Sequence, residues 1–252
     1  AKKKAQFSSW SFSGQNYNVG SSVSSICGGD NGSIYCTVLN NGVYKFDASG
    51  KIIAHPASPE GSSIIYRDIE GNYWIGTNDG LYSYHPQNGT WTAVAKIKCE
   101  TMNYITEDGH STLFISAYGS GLCTYNIKTK KFTSYSMFDK DTRNRLSNNW
   151  IMALKYDQHG LLWIGYSTGL SVFSPANRNF HPQKKTNFLP GIICYTICNY
   201  GKDNLLIGTN EGLYIYDRKS STTMPFKGGE QLQDKIVSSI VTDNEGDIWC
   251  ST

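Results

Sequence analysis

The chain repeats itself, and the repeat fixes what it can fold into. The segment YRDIEGNYWIGTNDGLYSYHP, from Tyr66, aligns without a gap with KYDQHGLLWIGYSTGLSVFSP, from Lys155. CNYGKDNLLIGTNEGLYIYDR from Cys198 and VTDNEGDIWCST from Val241 are further copies. CGGDNGSIYCTVLNNGVYKFD from Cys27 and TEDGHSTLFISAYGSGLCTYN from Thr106 are weaker ones. A large apolar residue marks each unit: Tyr35, Trp74, Phe114, Trp163, Leu206 and Trp249, at intervals of 39 to 49 residues. A glycine follows at Gly42, Gly80, Gly121, Gly169 and Gly212, and four residues after each comes an aromatic: Phe46, Tyr84, Tyr125, Phe173 and Tyr216. A unit of this kind cannot bury its apolar face alone and must stack on its neighbours.

Each unit reads as four short strands. In the second unit these are SIIYRD, NYWIGT, LYSY and TWTAV. Short strands divided by Gly, Asn and Asp are antiparallel hairpins. Asp68 with Gly71, Asp157 with Gly160 and Asp243 with Gly246 supply the turn chemistry of the first hairpin, the glycine taking the φ > 0 position. The second strand is apolar on both faces, as with Trp74 and Ile75, so it lies between two stacked sheets. Two residues after each marker stands a small residue (Thr37, Gly76, Ser116, Gly165, Gly208, Ser251), which lets the next sheet approach. A four-strand period of ~40–45 residues is the signature of a β-propeller. The expectation is an all-β propeller of four-stranded antiparallel blades spanning 1–252 as one domain, with no substantial helix.

A seven-bladed ring at ~43 residues per blade needs about 300 residues, and a six-bladed one about 258. The last unit stops after its second strand, so a slice of a seven-bladed ring is the expectation. A closed six-bladed ring remains the alternative, with residues 1–22 supplying the missing outer strands.

Composition narrows the class of function. The 23 basic and 20 acidic residues give a net charge of +3. The basic groups Lys2–Lys4, Lys128/Lys130/Lys131 and Lys184/Lys185 are small and scattered, which does not make a nucleic-acid stripe. No stretch approaches the ~18–20 apolar residues of a membrane span. The seven cysteines show no C-x-x-C and no finger spacing, and read as buried free thiols. The five histidines fall in predicted turns or loops and are not spaced as metal pairs. There is no G-x-S-x-G elbow and no phosphate-binding loop. Asn31-Gly-Ser and Asn88-Gly-Thr match a glycosylation sequon but read as tight turns. No cofactor, metal or catalytic residue is expected.

The pattern D-x-x-G-x, then an apolar residue, then W-I-G-T-x-x-G-L-x-x-Y, resembles the two-component regulator propeller repeat. The lead-in LSNNWIMALKYD, from Leu146 to Asp157, resembles that family's opening strand. The likeness covers roughly Ser22 to Thr252. It implies a periplasmic ligand-sensing segment of a hybrid two-component regulator in Bacteroides-type bacteria, with glycan breakdown products as the usual inputs. Its partners would be the rest of the parent sensor kinase chain, an oligosaccharide ligand and a second copy in a homodimer. The marker residues build the blade and do not name the ligand. An interaction scaffold and a propeller lyase or glycosidase are the alternatives, the last needing carboxylates that converge from different blades.

In a propeller one face carries the loops between strands two and three and those between blades. Two inter-blade loops are long, Ser136 to Asn149 and Phe180 to Gly191, and extra loop length is often functional. The candidate ligand-binding residues are Tyr118, Arg143, Arg145 and Trp150. Trp150 reads either as a stacking platform or as filling between blades. Asn78, Asp79, Asn210 and Glu211 occupy short loops on the same face and read as solvated hairpin tips. The blade markers Trp74, Trp163 and Trp249 are expected to be buried.

Overall fold

A computed structural model describes residues 21–181, 189–243 and 245–252. Blade 1 contains β1 (Val23–Gly28), β2 (Ile34–Val38), β3 (Gly42–Phe46) and β4 (Ile52–Ala54). Blade 2 contains β5 (Ile64–Arg67), β6 (Tyr73–Gly76), β7 (Gly80–His85) and β8 (Thr90–Lys96). Blade 3 contains β9 (Thr101–Glu107), β10 (Thr112–Tyr118), β11 (Gly121–Asn126) and β12 (Phe132–Tyr135). Blade 4 contains β13 (Ile151–Tyr156), β14 (Leu162–Tyr166), β15 (Gly169–Ser174) and β16 (Asn179–His181). Blade 5 contains β17 (Cys194–Tyr200), β18 (Asn204–Thr209), β19 (Gly212–Asp217) and β20 (Thr222–Pro225). Blade 6 has β21 (Ser239–Thr242) and β22 (Ile248–Ser251).

Every pairing is antiparallel between strands adjacent in sequence, so each blade is a meander. The first strand of each blade touches the first strand of the next, which stacks the sheets around a common centre. Two single 3-10 turns, Asp30–Gly32 and Glu230–Leu232, are the helical elements among the described residues. This is the propeller expected from the repeat.

The core lies between blades. Trp163 points forward onto Leu205, Ile207 and Tyr216 of blade 5. Its neighbours Leu162 and Ile164 point back into a cluster with Phe114 of blade 3. The small residue after the marker is sterically required at Gly165. A Cβ there would lie 2.8 Å from the carbonyl oxygen of Cys194 and 2.9 Å from its Cβ. The glycine therefore sets how closely β14 and β17 approach.

The two end blades depart from this pattern. Trp249 is 45% exposed, whereas its counterpart Trp163 is 0% exposed, which corrects the expectation that all the markers are buried. The reason is that a marker is covered by the blade after its own, and no described blade follows blade 6. At the other end Ile26 is 67% exposed, while its counterparts Ile65, Ile105 and Leu154 are buried. Blades 1 and 6 thus do not cover one another among the described residues. Of residues 1–22, expected to supply the outer strands of a six-bladed ring, 1–20 lie outside the described residues.

All seven cysteines are free. Burial pushes the thiols of Cys27, Cys123 and Cys194 up to about 12, so they stay protonated and packed. His85 and His181 end strands β7 and β16, whereas the sequence places them in turns. No helix among the described residues is long and apolar enough to cross a membrane.

Candidate functional site

The first turn of a blade does more than reverse the chain. Asp157 Oδ1 accepts the backbone N–H of His159 and of Leu161, at 2.9 and 3.0 Å. Its Oδ2 accepts the indole N–H of Trp163 at 2.7 Å. Asp68 and Trp74 are bonded in the same way at 2.8 Å, as are Asp243 and Trp249. These carboxylates hold turns and orient the markers, and no catalytic role is needed to account for them. The signal was present in the sequence as an aspartate six residues before each tryptophan, but it reads there only as turn chemistry.

The opposite ends of the strands carry the candidate face. Hydrogen bonds tie each turn between strands two and three to the adjoining inter-blade loop. Cys99 N–H donates to Asn78 O at 3.1 Å, Glu100 N–H to Tyr118 O at 3.2 Å and Asp234 N–H to Glu211 O at 3.4 Å. The Asn210 carboxamide oxygen accepts the Ile193 N–H at 2.8 Å. Asn78, Asn210 and Glu211 therefore help to knit this face together.

The loop between β12 and β13 is held by its own polar groups. Ser136 N–H donates to Asp139 Oδ2 at 2.7 Å, and Met137 N–H to Asn149 Oδ1 at 2.7 Å. Leu146 N–H closes it on Ser136 O at 3.2 Å, and Leu146 itself is buried as its apolar anchor. Arg143 donates to both carboxylate oxygens of Asp141, at 3.1 and 2.9 Å, and is exposed. That contact lowers the Asp141 pKa and raises that of Arg143. Arg145 donates through Nε to the Asp139 carbonyl at 2.9 Å. Both guanidiniums are thus engaged with the loop that presents them.

Trp150 immediately precedes β13 and is 42% exposed, so it is not filling between blades. Its backbone N–H is fixed by Asn148 Oδ1 at 2.9 Å. Phe138, at the tip of the same loop, is 77% exposed, and the sequence did not single it out. Tyr118 ends β10 in the turn at the blade 3 end of this face. The arrangement offers aromatic surface and cations, and no metal-holding group of His, Cys, Asp or Glu occurs among the described residues. Residues 182–188 of the second long loop lie outside those described.

No known family model matches the chain. It is similar to a histidine kinase, P4, of Formosa agariphila, at 25% identity over 199 residues. That match covers 73% of the chain and only 14% of the kinase. Two solved structures from B. thetaiotaomicron share the fold. One is the extracellular domain of a one-component system, with TM-score 0.73 and 21% identity, covering 91% of the chain and 32% of that domain. The other is the extracellular domain of a hybrid two-component system, with TM-score 0.71 and 22% identity, covering 91% of the chain and 31% of that domain. The chain therefore spans about a third or less of the length of each of these relatives. They agree with the resemblance to the two-component regulator propeller repeat, and at these identities the structural likeness is one of fold.

Proposed function

We propose that this propeller is an extracytoplasmic ligand-sensing segment of a hybrid two-component regulator, and that it reads glycan-derived oligosaccharides. The similarity to a histidine kinase and to extracellular domains of signalling systems supports the sensor role. The observation that carries the ligand-binding face is the ordered loop between β12 and β13. It carries exposed Phe138, Arg143 and Arg145 and leads directly into exposed Trp150.

Sugars present apolar C–H faces and rings of hydroxyls. Aromatic faces match the first and guanidinium donors match the second. An exposed pair such as Arg143–Asp141 is screened by solvent and holds weakly, so a ligand can take over that guanidinium at little cost. The domain binds and does not turn its ligand over; the rest of the parent chain carries the output, and a homodimer is its working form. Fold alone does not assign this role.

The test is calorimetric titration of the complete extracytoplasmic part of the parent protein with a panel of oligosaccharides. Trp150→Ala and Arg143→Ala are expected to weaken binding while leaving the thermal melt unchanged. Binding at wild-type strength in both variants rules out this face, and cleavage of any oligosaccharide rules out the binding-only reading.

A further inference from the structure

Blade 4 breaks the repeat at two positions, and both lie under the loop between β12 and β13. Three residues after the marker, blades 2 and 5 have Thr77 and Thr209, and blade 4 has Tyr166. Each threonine hydroxyl closes its own turn. Thr77 donates to the Gly80 carbonyl at 3.1 Å and accepts the Asp79 and Gly80 N–H groups at 3.1 and 3.0 Å. Thr209 donates to the Gly212 carbonyl at 2.9 Å and accepts the Glu211 N–H at 3.0 Å. The Tyr166 ring carries its hydroxyl away from the turn and under the loop. The second break is Ser171, where blades 1, 2 and 5 have Tyr44, Tyr82 and Tyr214. A serine there leaves room for a phenol, and its hydroxyl meets that of Ser147 in the loop at 3.0 Å.

Tyr166 is 1% exposed and packs with Leu146, the apolar anchor of the loop. The Ser171 side chain and the Ser147 backbone are its polar neighbours, yet its hydroxyl makes a well-formed hydrogen bond with neither, nor with any other described residue. Burial pushes the phenol pKa up, so the group stays protonated and is a donor. Three residues before Ser147 stands its complement. Asn144 Oδ1 is shielded from solvent and accepts nothing among the described residues. A buried donor and a buried acceptor, both unpaired, weigh against the arrangement that keeps them apart. Asp141 maintains that arrangement. Its carboxylate accepts the Arg143 backbone N–H at 3.0 Å, both guanidinium donors of Arg143, and the Asn144 carboxamide at 3.3 Å. The clamp is exposed, so water screens it.

We infer that the loop between β12 and β13 has a second seat on blade 4, in which the Tyr166 hydroxyl donates to Asn144 Oδ1, and that the loop exchanges between the two seats. Leu146 stays buried in both and is the pivot. Asn144 lies between Arg143 and Arg145, so a turn of the chain there carries both guanidiniums with it. Tyr166 is thus a positioning residue for the two arginines, acting through Asn144. A ligand that draws Arg143 off Asp141 loosens the same clamp and shifts the population towards the second seat. That consequence rests on the reading of this face as a ligand-binding one, whereas the exchange itself does not.

The test uses the whole chain without ligand. Nitrogen relaxation dispersion at the Asn144 carboxamide and at the backbone amides of 143–147 reads exchange on the microsecond–millisecond scale. Asp141→Asn should raise the population of the minor seat about fivefold, the ratio expected when a weak exposed clamp is released. Tyr166→Phe keeps the ring and its packing, should melt no lower than wild type, and should remove the exchange. Asp141→Asn combined with Tyr166→Phe should be as quiet as Tyr166→Phe. Flat dispersion in both the wild type and Asp141→Asn overturns the second seat. So does exchange that survives in the double variant, which would mean that the loop is only loosened, or that the phenol is bonded to an enclosed water. Because no ligand enters the experiment, its failure is distinct from a failure of the glycan reading.

Discussion

Blades 4 and 6 carry the same first hairpin and put it to different use. Asp157 and Asp243 each accept an indole N–H, at 2.7 and 2.8 Å. Each also holds the backbone N–H four residues on, at 3.0 and 2.9 Å. Yet Trp163 is wholly buried while Trp249 is 45% exposed. The hairpin therefore sets the tryptophan's direction by itself, and the next blade supplies the burial. Local chemistry and stacking are separable here, as expected of a repeat protein whose stability is a sum of unit and interface terms.

The largest effect should come from removing the covered indole. Trp163→Ala opens a cavity against Leu205, Ile207 and Tyr216 and should cost ~3–5 kcal/mol. Trp249→Ala removes the same hydrogen bond but little burial, and should cost about 1 kcal/mol. Denaturant unfolding of the two variants measures the difference. Equal losses would mean that the hairpin, and not the neighbouring blade, carries the stabilisation.

Smaller losses should follow at the joint itself. Asp157→Asn withdraws the charge that pairs with Arg218 and puts a donor towards the indole, which should cost ~1–3 kcal/mol. In Asp157→Asn combined with Arg218→Leu the two losses should not add, because both act on one contact. Gly165→Ala pushes a methyl group against the Cys194 backbone and should cost ~1–3 kcal/mol. Ser251, the corresponding position of blade 6, is exposed, and Ser251→Ala should stay within about 0.5 kcal/mol. A neutral Gly165→Ala in thermal melts would show that the sheets slide apart at no cost.

The strands were legible because the repeat samples one pattern several times. Tyr73–Gly76 falls inside NYWIGT, and the apolar residues on both faces already require sheets on both sides. What depends on a neighbour was not legible. The exposure of Trp249 follows from what stands beside it, and no residue within its own unit encodes that. The candidate face was legible as loop length and residue type, through Arg143, Arg145 and Trp150. The engagement of the two arginines with Asp141 and the Asp139 carbonyl depends on how that loop closes on itself. Phe138 was missed because a single aromatic in an unrepeated loop gives no periodic signal. The Asp–Trp bond was visible only as a spacing, since turn formation alone explains an aspartate there.

The smallest expected effect is a titration. The Trp249 indole N–H, followed by the backbone N–H groups of Asp247 and Glu245, donates to Asp243 and holds its carboxyl below the ordinary 3.8. A depressed folded pKa contributes stability that is present above 3.8 and is lost as pH falls through the folded value. Because Asp243 is exposed, the effect on unfolding should be slight, and the carboxyl signal itself is the better observable. Trp249→Phe keeps a ring but removes the largest donor, so the Asp243 pKa should climb towards 3.8 when followed by carbon NMR between pH 2 and 6. In blade 6 this shift should appear without a large change in stability. An unchanged Asp243 pKa in Trp249→Phe would mean that the backbone amides alone hold the carboxylate, and the hairpin would then not direct the tryptophan by itself.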